Sequence, residues 1–450
     1  MEPDTNPPEE SEPTARRVGG EREEPDGGLA FMLRALRYRN YRLYFTGQSI
    51  SLIGTWMTRI ATSWLVFRLT HSALLLGTIS FAGQLPTFLL APVGGVVVDR
   101  SNRHRVLVVT QALSALQSLA LAVLALSGRI TVAQVLALAV VQGAINAFDM
   151  PARQSFVIQM VERREDLGNA IALNSSMVNG SRLLGPSIAG VVIAAVGEGW
   201  CFLIDGISYL AVIASLLMMR IRPQARQASA EPAHPLAQFM EGFRYAAGFA
   251  PIRVILTLLA IISLVGMPYT VLMPIFATRV LHGGPQTLGL LMASTGIGAL
   301  LGAAYLASRR CVLGLGRVIP TMAALFGAGL IAFANSHILW LSVVLLVATG
   351  LGFMVQMASS NTVLQTVVDE DKRGRVMSFY GMAFQGTAPF GSLMAGALAS
   401  RIGAPHTLML GGVGCILGAA WFWWHLPELR RLLRPIYVRM QILPPSADSR

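Results

Sequence analysis

Residues 95–105 form a short basic turn between two long apolar stretches and read Gly-Val-Val-Val-Asp-Arg-Ser-Asn-Arg-His-Arg. The apolar stretches cover residues 72–97 and 105–127. Each is long enough to cross a bilayer, because a membrane helix needs about 20 mainly apolar residues. The pattern therefore predicts two membrane helices joined by a tight turn whose arginines lie at one membrane surface.

Ten further stretches of this kind occur along the 450-residue chain. Apolar residues make up 54% of the sequence and charged residues 13%, whereas a soluble protein carries about 25% charged residues. Much of the surface must therefore face something other than water, and we predict an all-α polytopic membrane protein. The twelve predicted spans lie near residues 43–67, 72–97, 105–127, 131–151, 170–196, 200–219, 252–277, 287–308, 317–334, 338–358, 376–399 and 406–425.

The basic residues are unevenly distributed between the two sides of these spans. With the N-terminus inside, 29 of the 35 Lys and Arg residues fall in inside segments or at inner span edges. The outside loops hold Arg68, Arg129, Arg279 and Arg401, and the spans hold Arg59 and Arg182. Since Lys and Arg concentrate in cytoplasmic loops, we expect both termini in the cytoplasm and the chain in the cell inner or plasma membrane. The net charge of +12 then reflects topology and does not indicate nucleic-acid binding.

The chain divides into two similar halves and three polar segments. Nine acidic and three basic residues fall within residues 1–30, which are predicted to be a disordered cytoplasmic tail. The second half of the predicted linker is suited to an amphipathic helix on the membrane surface. The predicted parts are the tail 1–30, an N-terminal six-helix bundle 31–219, a cytoplasmic linker 220–251, a C-terminal six-helix bundle 252–425 and a cytoplasmic C-terminal tail 426–450.

An internal repeat supports this division. A shift of 206 residues aligns eight identical residues over about 45 positions, and five of them are glycines. They fall at the same place in each half, from the fourth-to-fifth loop into the fifth span and from the tenth-to-eleventh loop into the eleventh. Two halves related as parallel repeats are a known transporter architecture. We therefore predict two six-helix pseudo-repeat bundles.

The turn at residues 95–105 resembles the loop signature of the major facilitator superfamily, Gly-x-x-x-Asp-Arg/Lys-x-Gly-Arg/Lys-Arg/Lys. The resemblance covers residues 34–425. Two positions depart from the signature, since Asn102 replaces the usual glycine and His104 replaces a basic residue. Asparagine tolerates left-handed backbone better than most residues, so we expect the turn to keep its shape.

The resemblance also implies a cytoplasmic latch that holds the inner side shut in an outward-open state. It places Asp99 against the start of span eleven, near Gly374 and Arg375, and it pairs Arg103 with Asp149 on span four. Gly95 would allow close helix contact. The alternative is that these charges only anchor the topology. The predicted latch residues are Gly95, Asp99, Arg100, Arg103, Asp149 and Arg375.

Span five contains a run of small residues with one proline. Residues 180–190 read Gly-Ser-Arg-Leu-Leu-Gly-Pro-Ser-Ile-Ala-Gly, which is similar to the Gly-x-x-x-Gly-Pro-x-x-Gly-Gly segment of drug/proton antiporters. Small residues at this spacing let helices approach closely, and a proline bends a span that its neighbours support. The match implies export, and close packing without regard to direction is the alternative. The predicted packing residues are Gly180, Gly185, Pro186 and Gly190.

Further short motifs narrow the resemblance. Thr55-Trp56-Met57, Leu69-Thr70-His71-Ser72, Leu167-Gly168-Asn169-Ala170 and Arg373-Gly374-Arg375-Val376-Met377-Ser378 resemble the bacterial subgroup of macrolide exporters and the enterobactin (siderophore) exporter. One feature departs from the antiporter signature on span four. The arginine expected three residues before Gln142-Gly143 is Ala139 here, which excludes proton coupling through that arginine.

Polar side chains within the predicted spans indicate a substrate and proton pathway, because ionisable groups there are costly and usually face a cavity. Several recur at three-to-four spacing and so share one helix face. We expect them to line a cavity in the N-terminal half, with a more apolar C-terminal half that favours amphipathic or hydrophobic substrates. The predicted pathway residues are Gln48, Thr55, Arg59, Gln142, Asn146, Asn179, Arg182, Asp205 and Gln385.

Asp205 is the predicted proton acceptor, since it is the only carboxylate well inside a predicted span. It lies roughly 7–8 Å from the outer end of span six at 1.5 Å per residue. Two roles remain open for it. It could take up and release protons during transport, or it could form a static ion pair with Arg59 or Arg182.

The sequence contains no Walker loop, nucleophile elbow, metal-ligand cluster or dinucleotide fingerprint in a credible context. We therefore expect a transporter and not an enzyme, with no cofactor or metal, and with a small molecule, protons and the lipid bilayer as partners. The leading hypothesis is a monomeric, proton-coupled exporter that works by alternating access. The alternatives are a metabolite/proton symporter of the same fold and a non-transporting scaffold or lipid scramblase.

Overall fold

The structure is a computed structural model that describes residues 33–161, 163–220, 235–309 and 312–440. The predicted acidic tail, residues 221–234 of the predicted linker, Cys311 and the last ten residues lie outside these ranges. The described part of the chain is helical and contains no strand. The predicted all-α class is confirmed.

Twelve long helical segments follow one another along the chain. Ten of them are long and apolar enough to cross a membrane. The other two are the first, which holds four arginines, and the eleventh, which begins with five charged residues within residues 370–375. The segments are α1 Arg39–Thr70, α2 Ala73–Arg100, α3 Arg103–Leu126, α4 Val132–Met160, α5 Leu167–Val196, α6 Glu198–Leu217, α7 Ala250–Val280, α8 Pro285–Ser308, α9 Leu315–Ala334, α10 Leu339–Val367, α11 Glu370–Gly381 continuing to Ala388–Ile402, and α12 Ala404–Arg439.

The helices pack as two groups of six with the same internal arrangement. In the first group α2 packs on α4, and α3 packs on both α4 and α6. In the second group α8 packs on α10, and α9 packs on both α10 and α12. These are the same pairs after a shift of six helices, so the packing reproduces the repeat seen in the sequence.

The helices run alternately between two ends of the bundle. We call one end the linker side, because α6 ends and α7 begins there, joined through the linker helix Pro235–Gly248. The opposite end, where α1 ends near His71 and α7 ends at Val280, is the far side. α12 runs past the predicted end of its span and continues on the linker side to Arg439.

The two halves touch mainly through α5 against α8 and α2 against α11. Both contacts depend on paired glycines in the far half of the bundle. A Cβ atom on Gly77 would lie 3.0 Å from Cα of Gly396, and one on Gly190 would lie 3.1 Å from Cα of Gly289. Small residues let membrane helices approach this closely, so the far side is closed.

The same helices separate toward the linker side. On α2, Gly77, Phe81 and Phe88 contact α11 and recur at helical spacing. Gly95 and Asp99 continue that face, yet nothing lies within 4 Å of where a side chain at Gly95 would begin. Asp99 is exposed over 67% of its side chain. A gap between the halves is therefore open at the linker side.

Helices α7 and α11 each contain π turns where they pass the centre of the bundle. One covers Ile262–Gly266 and another covers Met382–Gly386. A π turn shifts the usual backbone hydrogen bonds and is often found at functional positions. Ser263 Oγ in the first turn donates a hydrogen bond to the carbonyl oxygen of Phe384 in the second. The two irregular segments are thus joined to each other.

Candidate functional site

Asp205 lies inside α6 with only 2% of its surface exposed. Its Oδ2 atom is 3.0 Å from the hydroxyl of Ser118 on α3. The hydroxyl of Thr58 on α1 is the second hydrogen-bonding neighbour of this carboxylate. Neither Thr58 Oγ1 nor Oδ1 of Asp205 has a partner at close hydrogen-bond distance. Gly54 provides the room for this carboxylate, since a Cβ there would lie 2.7 Å from Oδ1. The predicted static ion pair with Arg59 or Arg182 is not formed.

A tyrosine links this carboxylate to the predicted polar face of α1. Tyr209 follows Asp205 by one helical turn, and its hydroxyl lies 3.3 Å from that of Thr55. Thr55 also donates to the carbonyl oxygen of Ser51 at 3.0 Å. Gln48 is buried on the same helix, about two turns closer to the linker side than Thr55. The structure therefore brings Thr55 and Asp205 together around Tyr209.

Asp149 on α4 is held by three side chains. Thr110 Oγ1 and Gln111 Nε2 lie 2.9 and 2.7 Å from its Oδ1 atom. Arg153, one turn further along α4, forms an ion pair with its Oδ2 atom. The pair with Arg103 predicted for an outward-open state is not formed here, since Arg153 on the same helix contacts the carboxylate.

Two other predicted pathway residues of α4 form a local network. Gln142 donates to Asn146 at 3.1 Å and to the hydroxyl of Ser114 on α3 at 3.3 Å. The Oε1 atom of Gln142 is buried without a partner. This network joins α3 to α4 between the Asp205 and Asp149 sites.

The remaining amides are not part of that network. Asn179 bonds to the carbonyl oxygen of Ser175 in its own helix at 2.9 Å. Gln385 is exposed within the π turn of α11. The structure therefore separates both residues from the cluster around Asp205 and Asp149.

The two intramembrane arginines meet at one tryptophan. The guanidinium carbon of Arg59 lies 4.6 Å from the ring centroid of Trp56, and that of Arg182 lies 5.7 Å from the same ring. Arg182 also lies 5.8 Å from the ring of Phe353 on α10. Cations are attracted to aromatic faces at such distances. Arg182 thus contacts both halves of the bundle at its centre.

Neither guanidinium has an anionic partner among the described residues. The Arg59 side chain is exposed to the gap although protein surrounds it on several sides. The Arg182 side chain is partly exposed. The two charges are close enough to repel each other. Both arginines therefore present positive charge to the gap between the halves.

The small residues of α5 set this geometry. A Cβ on Gly185 would collide with the Cβ of Trp56, so glycine there lets α1 and α5 meet at the tryptophan. The carbonyl oxygen of Pro186 lies against Gly289, and Gly190 packs on Gly289. Gly180 has nothing within 4 Å. The predicted packing role fits Gly185, Pro186 and Gly190, whereas nothing packs against Gly180.

The predicted latch is not assembled in this structure. Asp99 lies 3.8 Å from Arg103 in its own turn, and no close contact occupies the positions at Gly95 or Gly374. Arg100 is exposed at the end of α2. The cause is the separation of α2 from the first part of α11 on the linker side, which also keeps Asp99 from the start of α11 near Arg375.

The turn itself differs from the expected left-handed conformation. Asn102 has φ −72° and ψ 107°, and its side chain accepts a hydrogen bond from the backbone N–H of Arg105 at 3.2 Å. Asparagine is a preferred residue at helix N-caps for this reason. Asn102 therefore caps α3 and does not need the left-handed region.

Arginines form contacts on the far side, and one of these contacts joins the two halves. Arg279 at the end of α7 donates to the carbonyl oxygen of His71 at 3.0 Å, and its guanidinium lies 5.5 Å from the ring of Phe67. Within the N-terminal half, Arg68 forms an ion pair with Glu198. These arginines are among the few that the sequence assigns to outside loops.

Comparison with known proteins is consistent with this architecture. Residues 31–434 match the transmembrane secretion effector family of the major facilitator superfamily. The chain belongs to this family. The predicted resemblance is thereby confirmed, and this secretion effector is a transporter and not an enzyme.

Several curated relatives cover most of this transporter. The multidrug efflux pump Tap of Mycolicibacterium fortuitum is 30% identical over 390 residues, which are 84% of this chain and 93% of the relative. The staphyloferrin A transporter of Staphylococcus aureus is 25% identical, covering 83% of this chain and 93% of that protein. The macrolide efflux protein A of Streptococcus pyogenes is 24% identical, covering 84% and 94%.

Solved structures show the same fold at low identity. A bacterial homologue of the human lysosomal transporter Spinster, in an inward-facing and unoccupied conformation, matches with a TM-score of 0.66 at 14% identity. The match covers 90% of this chain and 99% of that one. A nucleoside transporter matches with a TM-score of 0.65 at 13% identity, covering 86% and 99%. The family fold is therefore present over nearly the whole transporter.

A further cluster on the linker side fixes the segment before α1. The Asp166 side chain is 1% exposed and forms an ion pair with Arg34, whose Nε atom lies 2.5 Å from Oδ1. Its Oδ2 atom accepts hydrogen bonds from Arg37 Nη2 and the Tyr38 hydroxyl, each at 2.5 Å. The backbone N–H of Ala35 donates to Asn169 at 2.9 Å. The Tyr38 hydrogen bond, followed by the two arginines, lowers the pKa of Asp166. This cluster ties the start of the membrane domain to the loop before α5.

Sequence reasoning missed several residues of the central site in this transporter. Trp56 precedes Arg59 by three residues, so helical spacing alone places both on one face. Arg153 follows Asp149 at the i,i+4 spacing of a helical ion pair, which was the available signal for that pair. No signal in the sequence connects Phe353 to Arg182, because that contact depends on how the two halves meet.

Proposed function

We propose that this transporter exports a small amphipathic or hydrophobic compound in exchange for protons, by alternating access. It does so as a monomer in the cell inner or plasma membrane, with both termini in the cytoplasm. The observation that carries the proposal is the carboxyl group of Asp205, which is buried within α6, faces the hydroxyls of Ser118 and Thr58 and forms no ion pair among the described residues. The proposal has three parts: orientation, conformational change and coupling.

The orientation follows from the basic residues. Only four of the 35 lie in loops that the sequence assigns to the outside. The linker side is then the cytoplasmic side, because such an excess of Lys and Arg marks cytoplasmic loops. In that orientation the gap between the halves opens to the cytoplasm.

The closed far side and the open linker side support alternating access. The halves touch on the far side through glycine pairs and a few polar contacts such as Arg279 with His71. Contacts of this kind can separate without breaking either six-helix group. Movement of one group against the other about the centre would close the linker side, where Asp99 and Gly95 already face α11.

Coupling is assigned to Asp205 because nothing in its surroundings fixes its protonation state. Ser118 can donate a hydrogen bond to the carboxylate, and the protonated carboxyl could donate one in turn. Tyr209 and Thr55 lead from this position along α1. The arginine used by the antiporter signature is absent at Ala139, so a different group must carry the proton in this chain.

The direction of transport is supported by the relatives. The Tap protein is a multidrug efflux pump and the Streptococcus pyogenes protein is a macrolide efflux protein. Both align over most of this chain. Export of an amphipathic compound is the function that these similarities and the central site favour together.

The test is transport by the full chain in liposomes with a pH gradient. Erythromycin, ethidium and 2-naphthalenesulfonate serve as probes, and the vesicle interior is made acidic relative to the bath. We expect at least one probe to accumulate as protons leave, with loss of accumulation after addition of an uncoupler. The Asp205→Asn variant should equilibrate the probe without accumulating it.

Two results would contradict the proposal. Accumulation driven only by protons moving in the same direction as the probe would indicate a symporter. Equal accumulation by the wild type and Asp205→Asn would remove Asp205 from coupling. Arg129→Gln, which alters an exposed far-side loop, is the matched control and should behave as the wild type.

A further inference from the structure

We infer that the central site of this transporter selects anionic compounds with a flat apolar body. Arg59 and Arg182 bind the negative group, and Trp56 and Phe353 provide the aromatic surface beside it. The inference rests on the proposed transport function and narrows its substrate class. It follows from the exposure of the two arginines to the gap and from the burial of the nearby carboxylates.

The two carboxylates near the centre of the N-terminal half are hidden from a ligand. Asp205 and Asp149 are 2% and 4% exposed. Asp149 is neutralised by Arg153 and held by two further donors. A cationic ligand beside Trp56 would therefore find neither of these carboxylates accessible on α4 or α6.

The arginines have the opposite environment. Arg59 is exposed and Arg182 is partly exposed, and neither forms an ion pair or a hydrogen bond within the described ranges. Unpaired charges within a membrane protein are costly and usually serve a pathway. A bound anion would supply the missing partner to both guanidinium groups and would relieve their mutual repulsion.

Charge-assisted hydrogen bonds from arginine to an oxyanion are among the stronger polar contacts in proteins. The two guanidinium carbons lie 4.6 and 5.7 Å from the same indole centroid. A single sulfonate, carboxylate or phosphate group placed beside Trp56 is thus within reach of both arginines. Such contacts would fix the position of the charged end of the ligand.

The aromatic rings define where the remainder of the ligand lies. Phe353 contacts Arg182 at 5.8 Å, and its ring centroid lies 6.1 Å from that of Phe384 in the π turn of α11. A flat apolar group can pack against aromatic rings in offset or edge-on geometry. Because Trp56 belongs to one half and Phe353 to the other, one ligand would contact both moving parts.

The test uses three probes that share one ring system and differ in charge. They are 2-naphthalenesulfonate, 2-naphthalenesulfonamide and 2-naphthylmethylammonium. Binding to the full chain in lipid nanodiscs is measured by equilibrium dialysis, with empty nanodiscs subtracted. We expect the sulfonate to bind at least about tenfold more tightly than the other two, as expected for one added charge-assisted contact.

Variants assign the preference to the two arginines. Arg182→Gln and Arg59→Gln should each weaken sulfonate binding by about tenfold and leave sulfonamide binding unchanged. Arg182→Lys keeps the charge and should keep most of the preference for the sulfonate. Arg129→Gln removes one positive charge from an exposed loop and should change nothing.

The inference is overturned if the ammonium probe binds as tightly as the sulfonate, or if the glutamine variants retain the preference for the anion. An equal loss of binding of all three probes in a glutamine variant would also overturn it. This outcome counts only if Arg182→Lys binds the probes normally, which shows that the site is folded. No pH gradient is present in this measurement. Failure of proton-coupled export would therefore leave the binding preference intact, and a cation-selective exporter would refute the preference alone.

Discussion

The hydroxyl of Ser118 on α3 lies 3.0 Å from Oδ2 of Asp205 on α6, within the membrane-spanning part of the bundle. It is the shortest contact to this carboxylate, and the hydroxyl of Thr58 on α1 is its second hydrogen-bonding neighbour. The pair places the proposed proton carrier between α3, α6 and the small-residue face of α1 at Gly54. The proposed proton-coupling residue therefore also lies at a close contact between α1 and α6.

Ser118→Ala should destabilise the protein by about 1–3 kcal/mol, because it leaves a buried carboxylate without its donor. Adding Asp205→Leu should recover much of that loss, since neither partner then remains unsatisfied. Thermal unfolding of the single and double variants in detergent measures the interaction energy between the two side chains. The exposed Ser127→Ala is the control, and equal stability of Ser118→Ala and the wild type would argue against this hydrogen bond.

Loss of the contact between Ser263 and the carbonyl of Phe384 should change the transport rate more than it changes probe binding. Ser263→Ala leaves a backbone carbonyl of the α11 π turn without this donor. Because the bond joins α7 to α11 where both helices are irregular, we expect its loss to change the transport rate several-fold while probe binding changes little. A matched change at Ser308, exposed at the end of α8, should leave both quantities unaltered.

Substitution of Gly190 by leucine should shift the transporter away from the present conformation. A side chain there would collide with Gln286 and Gly289 of α8, and it would prevent closure of the far side. The linker side would then spend more time closed. Gly95→Cys in a cysteine-free background reports this change, because Gly95 faces the open gap.

Labelling of Gly95→Cys by a membrane-impermeant maleimide should slow by about tenfold or more when Gly190→Leu is added, if a shift of about 1.4 kcal/mol in the equilibrium follows. Gly180→Leu is the control, since that position has free space around it. Faster labelling in Gly190→Leu would mean that the contact between α5 and α8 does not hold the far side shut.

Asp166 should contribute stability that depends on pH in a defined direction. Its pKa is lowered in the folded protein by the Tyr38 hydroxyl and by Arg34 and Arg37. Its stabilising effect is therefore complete above the ordinary carboxyl pKa of about 3.9 and is lost as the pH falls through the lowered value. Asp166→Asn should be less stable by about 1–3 kcal/mol at pH 7.

The difference between Asp166→Asn and the wild type should begin to shrink once the pH falls below about 3.9, because the unfolded chain then takes up a proton more readily than the folded protein. Thermal unfolding at several pH values, followed by intrinsic fluorescence, measures this difference. A gap that stays constant from pH 7 to pH 3 would mean that the charge of Asp166 does not stabilise the segment before α1.

The fold was largely predictable because bilayer thickness imposes a length on each span. Twelve apolar stretches gave twelve helical segments, and the glycine repeat corresponds to equivalent packing in the two halves. The boundaries were less predictable. α12 continues to Arg439 because Leu426, Leu429 and Leu433 form a buried stripe on a helix that is otherwise basic.

The site was predictable only where one helix determines the contact. Asp205 was recognised from its position within a span, and the pair of Asp149 with Arg153 could have been recognised from helical spacing. The proposed pairing of Arg103 with Asp149 depends on the state of the transporter, and this structure has the linker side open. The meeting of Arg182 with Trp56 and Phe353 requires three helices to cross at positions that one sequence does not reveal.

The most direct test of the proposed coupling is proton release by purified transporter in weakly buffered detergent. Erythromycin, ethidium and 2-naphthalenesulfonate are added in turn to the wild type and to Asp205→Asn, and binding is measured in the same samples. The account predicts that a probe bound by both proteins releases protons from the wild type and none from the variant. Binding without proton release from either protein, or equal release from both, would contradict a coupling role for Asp205.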